Sequence, residues 1–424
     1  MARRGAAGWN SQAIAVDIYR FAPVNEPAWP SIIKEAAMTK PLAGVRIVSV
    51  EQFGAAPYGS MFLADLGADV IKVENGASNG DPARHTGPYF LGENDSQYFQ
   101  TWNSNKRSVA LDLKSPEGLE QLKRLIASAD AVMNNLRGDK SAKLGLDYKN
   151  LSRLNPAIVC LHISAYGRDN ERAAWPGYDY LAQAEAGLMG LTGDPDRPPT
   201  RLGPPSIIDH MTGITAITGL LSGIIQARAT GVGCDVDTCL FDVALHQLGY
   251  AAIWYMNEAY VPSRLPRSAH FSVAPVQTFP TADGWIFIMC MTDKFWNALV
   301  DTLGNDAIRS DARFATSPQR VANREALTEV LDAEFKQKST EQWLQILGGV
   351  LPIAPVYGVA DALDSPFVEE KEMINTLDHP ARGKIRILSN PLKVNGKRLS
   401  QKVCSPMGAD TDAVLATVAP STSE

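Results

Sequence analysis

The chain of 424 residues is poor in the signatures that assign the commonest nucleotide-dependent and hydrolytic enzymes. No G-x-G-x-x-G follows its first strand-like run, and it has no G-x-x-x-x-G-K-[ST] and no H-E-x-x-H. It is also read as having no G-x-S-x-G nucleophile elbow. Dinucleotide dehydrogenases, P-loop NTPases, zincins and serine hydrolases are thereby set aside. Cysteine is sparse, five residues at 160, 234, 239, 290 and 404, without the dense spacing of a secreted disulfide scaffold. Reduced thiols and a cytoplasmic setting are expected. Cys234 and Cys239 are close, but no second pair and no His stand at ligand spacing, so no metal is assigned. Charge of one sign is not in excess: 40 Lys and Arg against 46 Asp and Glu give a net −6, which argues against a nucleic-acid partner. The apolar runs, such as Ile286 to Met291 and Gly219 to Ile225, fall short of the ~20 residues of a membrane span, so no membrane partner is expected either.

What is present is a regular alternation that starts at Pro41. Residues 1–40 read as an N-terminal extension without a secretory core. Val45 to Val50 is a β-branched run, Gly54 to Pro57 a turn, Tyr58 to Leu66 a helix and Asp69 to Glu74 a strand. Further strands are expected at Ser108 to Leu113, Ala131 to Met133 and Ile158 to Ile163, with Ser115 capping a helix that has Pro116 in its first position. Met211 to Ala229 reads as a buried apolar helix, Asp235 to Leu240 as a strand, and the following helix ends near Tyr260. Strands alternating with helices predict an α/β fold with a mainly parallel, Rossmann-like sheet. A large domain is placed at residues 41–260, completed by 379–424. The Pro- and Ser-containing segment Val261 to Ala269 reads as a linker into a smaller α+β domain closing near Asp378. There, Gln277 to Phe279 and Trp285 to Cys290 form a hairpin, and Asp293 to Leu303 and Arg324 to Phe335 form helices.

In such a sheet the loops after the strands carry the ligand. Gly54-Ala55-Ala56-Pro57 would let a thioester or anion approach a helix start, or serve only as a tight turn. Asn105-Lys106-Arg107-Ser108 with Lys114 gathers positive charge suited to phosphate, or forms a solvated rim. Asn134-Asn135 offers amides to an adenine or pantetheine, or makes a turn. Among carboxylates, Asp209 stands where Ile207-Ile208 meets the apolar helix. It is either a helix N-cap or an activated nucleophile tuned by its surroundings. Asp196 reads as a turn residue and Asp179 as a hydrogen-bond acceptor, and residues alone do not rank the three. His210 and His270 are further candidates.

Taken in order, the segments PLAGVRIVSVEQFGAAPYGSMFLADLGADVIKVE, NSNKRSVALDLKSPEG, PGYDYLAQAEAGLMGLTG, IIDHMTGITAITGLLSGIIQARATGVGCDVD, FPTADGWIFI and SPMGADT resemble the class III CoA-transferases. The resemblance spans about Pro41 to Leu415. It implies an interlocked homodimer and an enzyme that moves CoA from an acyl-CoA thioester, succinyl-CoA among the possible donors, to a free carboxylic acid. CoA is then a substrate, with no permanently bound cofactor. The reaction it implies runs through an aspartyl-CoA thioester, with Asp209 as nucleophile and Asp196 in reserve. Carried over residue by residue, the CoA contacts fall on Gly54, Ala55, Leu111, Lys114, Asn135, Leu136, Lys143 and Leu144, with His270 lining the site. Lys143 stands where Arg is usual, and Asn75 where an Arg often meets the phosphates. The fold is also similar to that of α-methylacyl-CoA racemase, but Tyr178 occupies the place of the racemase histidine. With an unperturbed pKa of roughly 10, tyrosine is a poor base near neutrality. A CoA-binding homologue without activity is a third reading, against which the intact Asp209 argues.

Overall fold

The computed structural model describes residues 40–203 and 205–418. The N-terminal extension, Lys40 aside, lies outside them. Six strands form one sheet: β1 (Arg46–Val50), β2 (Asp69–Glu74), β3 (Arg107–Ala110), β4 (Ala131–Asn134), β5 (Val159–Ser164) and β6 (Cys234–Cys239). Their order is β3-β2-β1-β4-β5-β6 and every neighbouring pair is parallel. Side chains alternate across the strands, so Ile47 and Met133 join the apolar layer on one face while Val48 and Val132 join the layer on the other. Both faces are covered, which is why the inner strands read as continuous apolar runs. The chain leaves β1 toward β2 and β3 on one side and returns through β4 on the other. The loops after β1 and β4 therefore diverge at a topological switch point, where open α/β sheets hold their ligands.

The covering helices are α1 (Ala55–Asp65), α2 (Pro116–Ala127), α3 (Asp179–Glu185), α4 (Ile207–Thr230), α5 (Leu240–His246) and α6 (Tyr250–Glu258). At α2 the expected start holds: Ser115 Oγ accepts from the Gly118 N–H and Pro116 opens the helix. Helix α1 begins at Ala55, before the expected Tyr58, because Pro57 falls in its first turn, where a missing N–H costs nothing. The expected single helix ending near Tyr260 is broken into α5 and α6 at Gly249, whose φ of 54° is left-handed.

Helix α4 departs most from expectation. It starts at Ile207, takes Asp209 into its first turn, and has a left-handed N-cap at Ser206 without a side-chain cap. It is long and apolar enough to cross a membrane by length and composition, where the sequence reading had found no such run. It packs instead against α1, β5 and β6. A Cβ on Gly59 would stand 2.7 Å from the Gly213 carbonyl oxygen, so glycine at this crossing is what lets α1 and α4 approach. Only one face of α4 is covered: Leu220 is fully buried whereas Ile225 is 71% exposed.

Beyond the linker, β7 (Val276–Pro280) and β8 (Trp285–Met289) form the expected hairpin, joined by a third strand at Ile353–Pro355. Helices α7 (Asp293–Leu303) and α8 (Arg324–Phe335) begin and end where the periodicity places them. They enclose a separate apolar core that includes Phe279, Trp296, Leu331 and Phe335. A further hairpin, β9 (Ile374–His379) with β10 (Gly383–Leu388), runs across the boundary placed at Asp378. It leads the C-terminal segment back to the sheet, where Asn390 and Gln401 both donate to buried Asp65.

Candidate active site

The loops after β1 and β4 enclose a cavity of about 250 Å³. Gln52, Phe53, Gly54 and Ala55 supply one wall, Asn135, Leu136 and Arg137 another, and Tyr178 and Asp209 close it. A second cavity of about 300 Å³ shares Gln52 and Leu136 and extends past Asn75 to Lys114 and Leu144. Seven of the residues carried over from the resemblance or singled out beside it, Gly54, Ala55, Asn135, Leu136, Lys114, Leu144 and Asn75, thus gather along the switch point. Leu111 does not line either cavity; it is buried in the core. Lys143 also lines neither: its ammonium is exposed and pairs with Asp139 at 2.8 Å, one helical turn away.

Two carboxylates meet at the start of α4. Asp179, the first residue of α3, accepts from Gln183 Nε2 at 2.5 Å through one oxygen. Its other oxygen accepts the backbone N–H groups of Ile208 and Asp209 at 2.5 and 2.9 Å. Asp179 therefore caps α4 from outside, and Asp209 is not the N-cap that its position suggested. Among the described residues no cation is paired with either carboxylate. Burial, with the charge of Asp179 added, pushes the Asp209 carboxyl up to about 7, offset in part by a hydrogen bond from Ser206. The β1 loop lies directly against it: a Cβ on Gly54 would come within 2.5 Å of Asp209 Oδ2, so a side chain there would force the carboxylate to move.

Several other expectations are corrected. Lys106 is no phosphate ligand, because it is buried and all three of its N–H groups are used, on Glu51, the Pro57 carbonyl and Asn103. Arg107 is held by Asp69. Asn134 is buried against His162, and the Asn135 amide is spent on both backbone groups of Gln52, tying the two loops together. His210 points away from the first cavity and stacks on Tyr58 at 4.1 Å. His270 bonds to Tyr250 instead of lining either cavity. Asp196 lies in an exposed turn. Contrary to the motif reading, Gly76-Ala77-Ser78-Asn79-Gly80 does spell G-x-S-x-G. It forms an exposed 3-10 turn after β2 and not a strand-to-helix elbow, and Ser78 Oγ donates to the Asn75 carbonyl. All five cysteines are free thiols.

The sequence reading missed the charges beneath the β1 loop. Glu51, Lys72 and Asp81 are all buried, and Lys72 Nζ donates to Asp81 at 2.8 Å and to the Glu51 carbonyl at 3.1 Å. A lysine inside the otherwise apolar run of β2 was the available signal, since a charge in a central strand must be paired. Phe53 was missed as well. It is a bulky residue held at φ 57°, a conformation that costs free energy away from glycine.

The architecture and the residues at the switch point agree with a family model described as CoA-transferase family III, which matches residues 42–411. The chain belongs to that family. Among curated relatives, a succinate–glutarate CoA-transferase of Agrobacterium fabrum is 34% identical over 337 residues, 78% of this chain and 84% of that protein. The human succinyl-CoA:glutarate CoA-transferase is 31% identical over 378 residues, 89% of this chain and 85% of its own length. Among solved structures, a CAIB/BAIF family protein from Brucella suis superposes with a TM-score of 0.77 at 34% identity, covering 90% of this chain and all of that one. The chain is accordingly an acyl-CoA:carboxylate CoA-transferase, with CoA thioesters as its substrates.

Proposed function

We propose that the enzyme moves CoA from succinyl-CoA to a small dicarboxylic acid of the glutarate class, through a covalent aspartyl-CoA intermediate. The observation that carries this reading is the pair of carboxylates at the start of α4, without a cation partner among the described residues: Asp209 lines the cavity of the switch point, and Asp179 is buried beside it, one residue from the lining residue Tyr178. The sequence reading gives the attack to Asp209. Geometry supports giving it to Asp179, which collects three hydrogen-bond donors, whereas burial and the charge of Asp179 raise the Asp209 carboxyl. Asp209, with its carboxyl raised to about 7, is protonated in a large share of molecules at neutral pH and stays at the cavity wall.

In the first step an oxygen of the Asp179 carboxylate attacks the thioester carbonyl carbon. The C–S bond breaks, and a mixed anhydride and the CoA thiolate result. The thiolate next attacks the aspartyl carbonyl carbon, the anhydride C–O bond breaks, and the donor acid leaves as a carboxylate. The acceptor carboxylate repeats both steps in reverse, so one net charge is conserved throughout. The N–H groups of Ile208 and Asp209, already on one Asp179 oxygen, are placed to stabilise the oxyanion that forms when thiolate attacks. The second cavity, with Lys114 and Asn75, would receive the nucleotide end of CoA.

A homodimer in a cytoplasmic setting is part of the same reading. Tyr250, Ile253, Tyr255 and Met256 of α6 are about half exposed or more, as is Val261 in the linker. Large apolar side chains gathered on one exposed helix mark a surface suited to a partner. A second copy is the expected cover, and a mass of one chain in sedimentation at micromolar concentration would rule that out. The test of function is exchange between succinyl-CoA and glutarate, followed by the appearance of glutaryl-CoA. Absence of exchange with this and other C4 to C6 diacids would remove the assignment of substrates.

A further inference from the structure

The buried charges beneath the β1 loop are not needed to close the sheet, and they converge on one short segment. Lys72 Nζ holds the Glu51 carbonyl, and the Phe53 N–H donates to Asp81 Oδ1 at 3.1 Å. Lys106 Nζ holds the Pro57 carbonyl in the first turn of α1 and the Glu51 carboxylate at 2.7 Å. Ser60 also donates to that carboxylate. Two ammonium groups and two carboxylates, all with side chains shielded from solvent, thus grip both ends and the middle of residues 51–57. Between the grips lies Phe53 at φ 57°, and next to it Gly54 faces Asp209.

We infer that Lys72, Asp81, Glu51 and Lys106 form a positioning network that imposes the left-handed turn at Phe53 and so shapes the CoA groove. The inference rests on the CoA-transferase reading of that groove. Lys72 and Lys106 line neither cavity, while Glu51 and Asp81 also border the second one. The four act together through the backbone of residues 51–57. Recovery by Phe53→Gly, and not loss of affinity alone, therefore separates positioning from direct contact. Because the loop forms one wall of the cavity, its displacement should weaken acyl-CoA binding far more than acceptor binding. A role in stability alone would not separate the two substrates.

The test uses Phe53→Gly and Phe53→Val in the full-length enzyme. Both lose the ring and its edge contact with Tyr178, so the difference between them isolates backbone geometry. Glycine adopts the left-handed turn freely, whereas a β-branched residue resists it. KM values are taken with succinyl-CoA and glutarate, and the Kd of free CoA by calorimetry. Phe53→Val is expected to bind CoA about tenfold or more weaker than Phe53→Gly, with KM for succinyl-CoA following and KM for glutarate changed by less than about threefold. Asp81→Ala should raise the same two CoA quantities about tenfold, and adding Phe53→Gly should recover part of that loss. Equal CoA affinity in Phe53→Gly and Phe53→Val overturns the inference, and so does a folded Asp81→Ala with wild-type CoA affinity. If Asp81→Ala does not fold, the pair at Phe53 decides alone. A wild-type enzyme that binds CoA but does not exchange this acid pair refutes the choice of acids only, because calorimetry still reads the loop.

Discussion

Two sets of charges flank the β1 loop, and they are built on opposite principles. Beneath the loop, Glu51, Asp81 and Glu74 each meet a cation, Lys106, Lys72 or Arg84, at 2.7 to 2.8 Å. Opposite it, among the described residues, Asp179 and Asp209 meet N–H groups, an amide and a hydroxyl but no cation, and the charge of one raises the carboxyl of the other. In the paired set the carboxylates stay charged where a cation grips them: Arg84, twice bonded to Glu74, holds that carboxyl down at about 2 against the burial that would raise it, although burial draws the Lys106 ammonium down to about 8. In the unpaired set burial wins and a proton stays bound near neutral pH. Pairing makes a braced floor, and on the proposed reading the pair without cations supplies the carboxylate that attacks the thioester.

Breaking each set should therefore have different consequences. The largest effect is expected at the unpaired set. Asp179→Asn should lower exchange about a thousandfold or more while CoA still binds, checked by steady-state kinetics and calorimetry. Next is the floor, where Lys72→Met leaves the Asp81 carboxylate buried without its cation and should cost about 3–5 kcal/mol in denaturant unfolding. Gly54→Ala drives a methyl into Asp209 and should cost about tenfold or more in kcat/KM with little change in the thermal midpoint.

Asp209→Asn sharpens the comparison because it keeps shape and removes titration. The folded protein holds the Asp209 proton up to about pH 7, whereas the unfolded chain releases it near the ordinary aspartate value of about 4. This contribution is fully present below pH 4 and is lost as pH rises through 7. Thermal midpoints of the wild type should fall over that window relative to the Asn variant, by a free energy of about 1–3 kcal/mol. Exchange should survive in Asp209→Asn within about tenfold. The smallest effect is expected for Lys143→Ala, less than about twofold in KM for acyl-CoA, because its ammonium is spent on Asp139 at the surface.

Much of the fold was legible because its signals are local. The β-branched runs at Ile47 and Ile71, the Ser115-Pro116 start and the periodicity of Arg324–Phe335 each depend on a handful of neighbouring residues. The groove was legible in outline, since Gly54, Asn135 and Leu136 follow strand ends directly. What escaped was set by partners distant in sequence. Asp179 caps α4 from 30 residues upstream, which turned the expected cap Asp209 into a residue inside the first turn. Lys106 looks like a phosphate ligand until Glu51, 55 residues away, takes it into the core. The exposure of α6 and of half of α4 is likewise decided by what covers them, which a hydrophobic pattern does not state.

The central claim is that the carboxylate left charged by its neighbours carries the chemistry, and it can be read on peptides. Trypsin cleavage after Arg201 separates residues 173–201, with Asp179, from residues 202–228, with Asp209. Enzyme incubated with succinyl-CoA, quenched and digested should carry a CoA-sized, hydroxylamine-sensitive adduct on the first peptide, localised to Asp179 by fragmentation. The same adduct on Asp209 would contradict the account and return the attack to the residue the sequence alone had favoured.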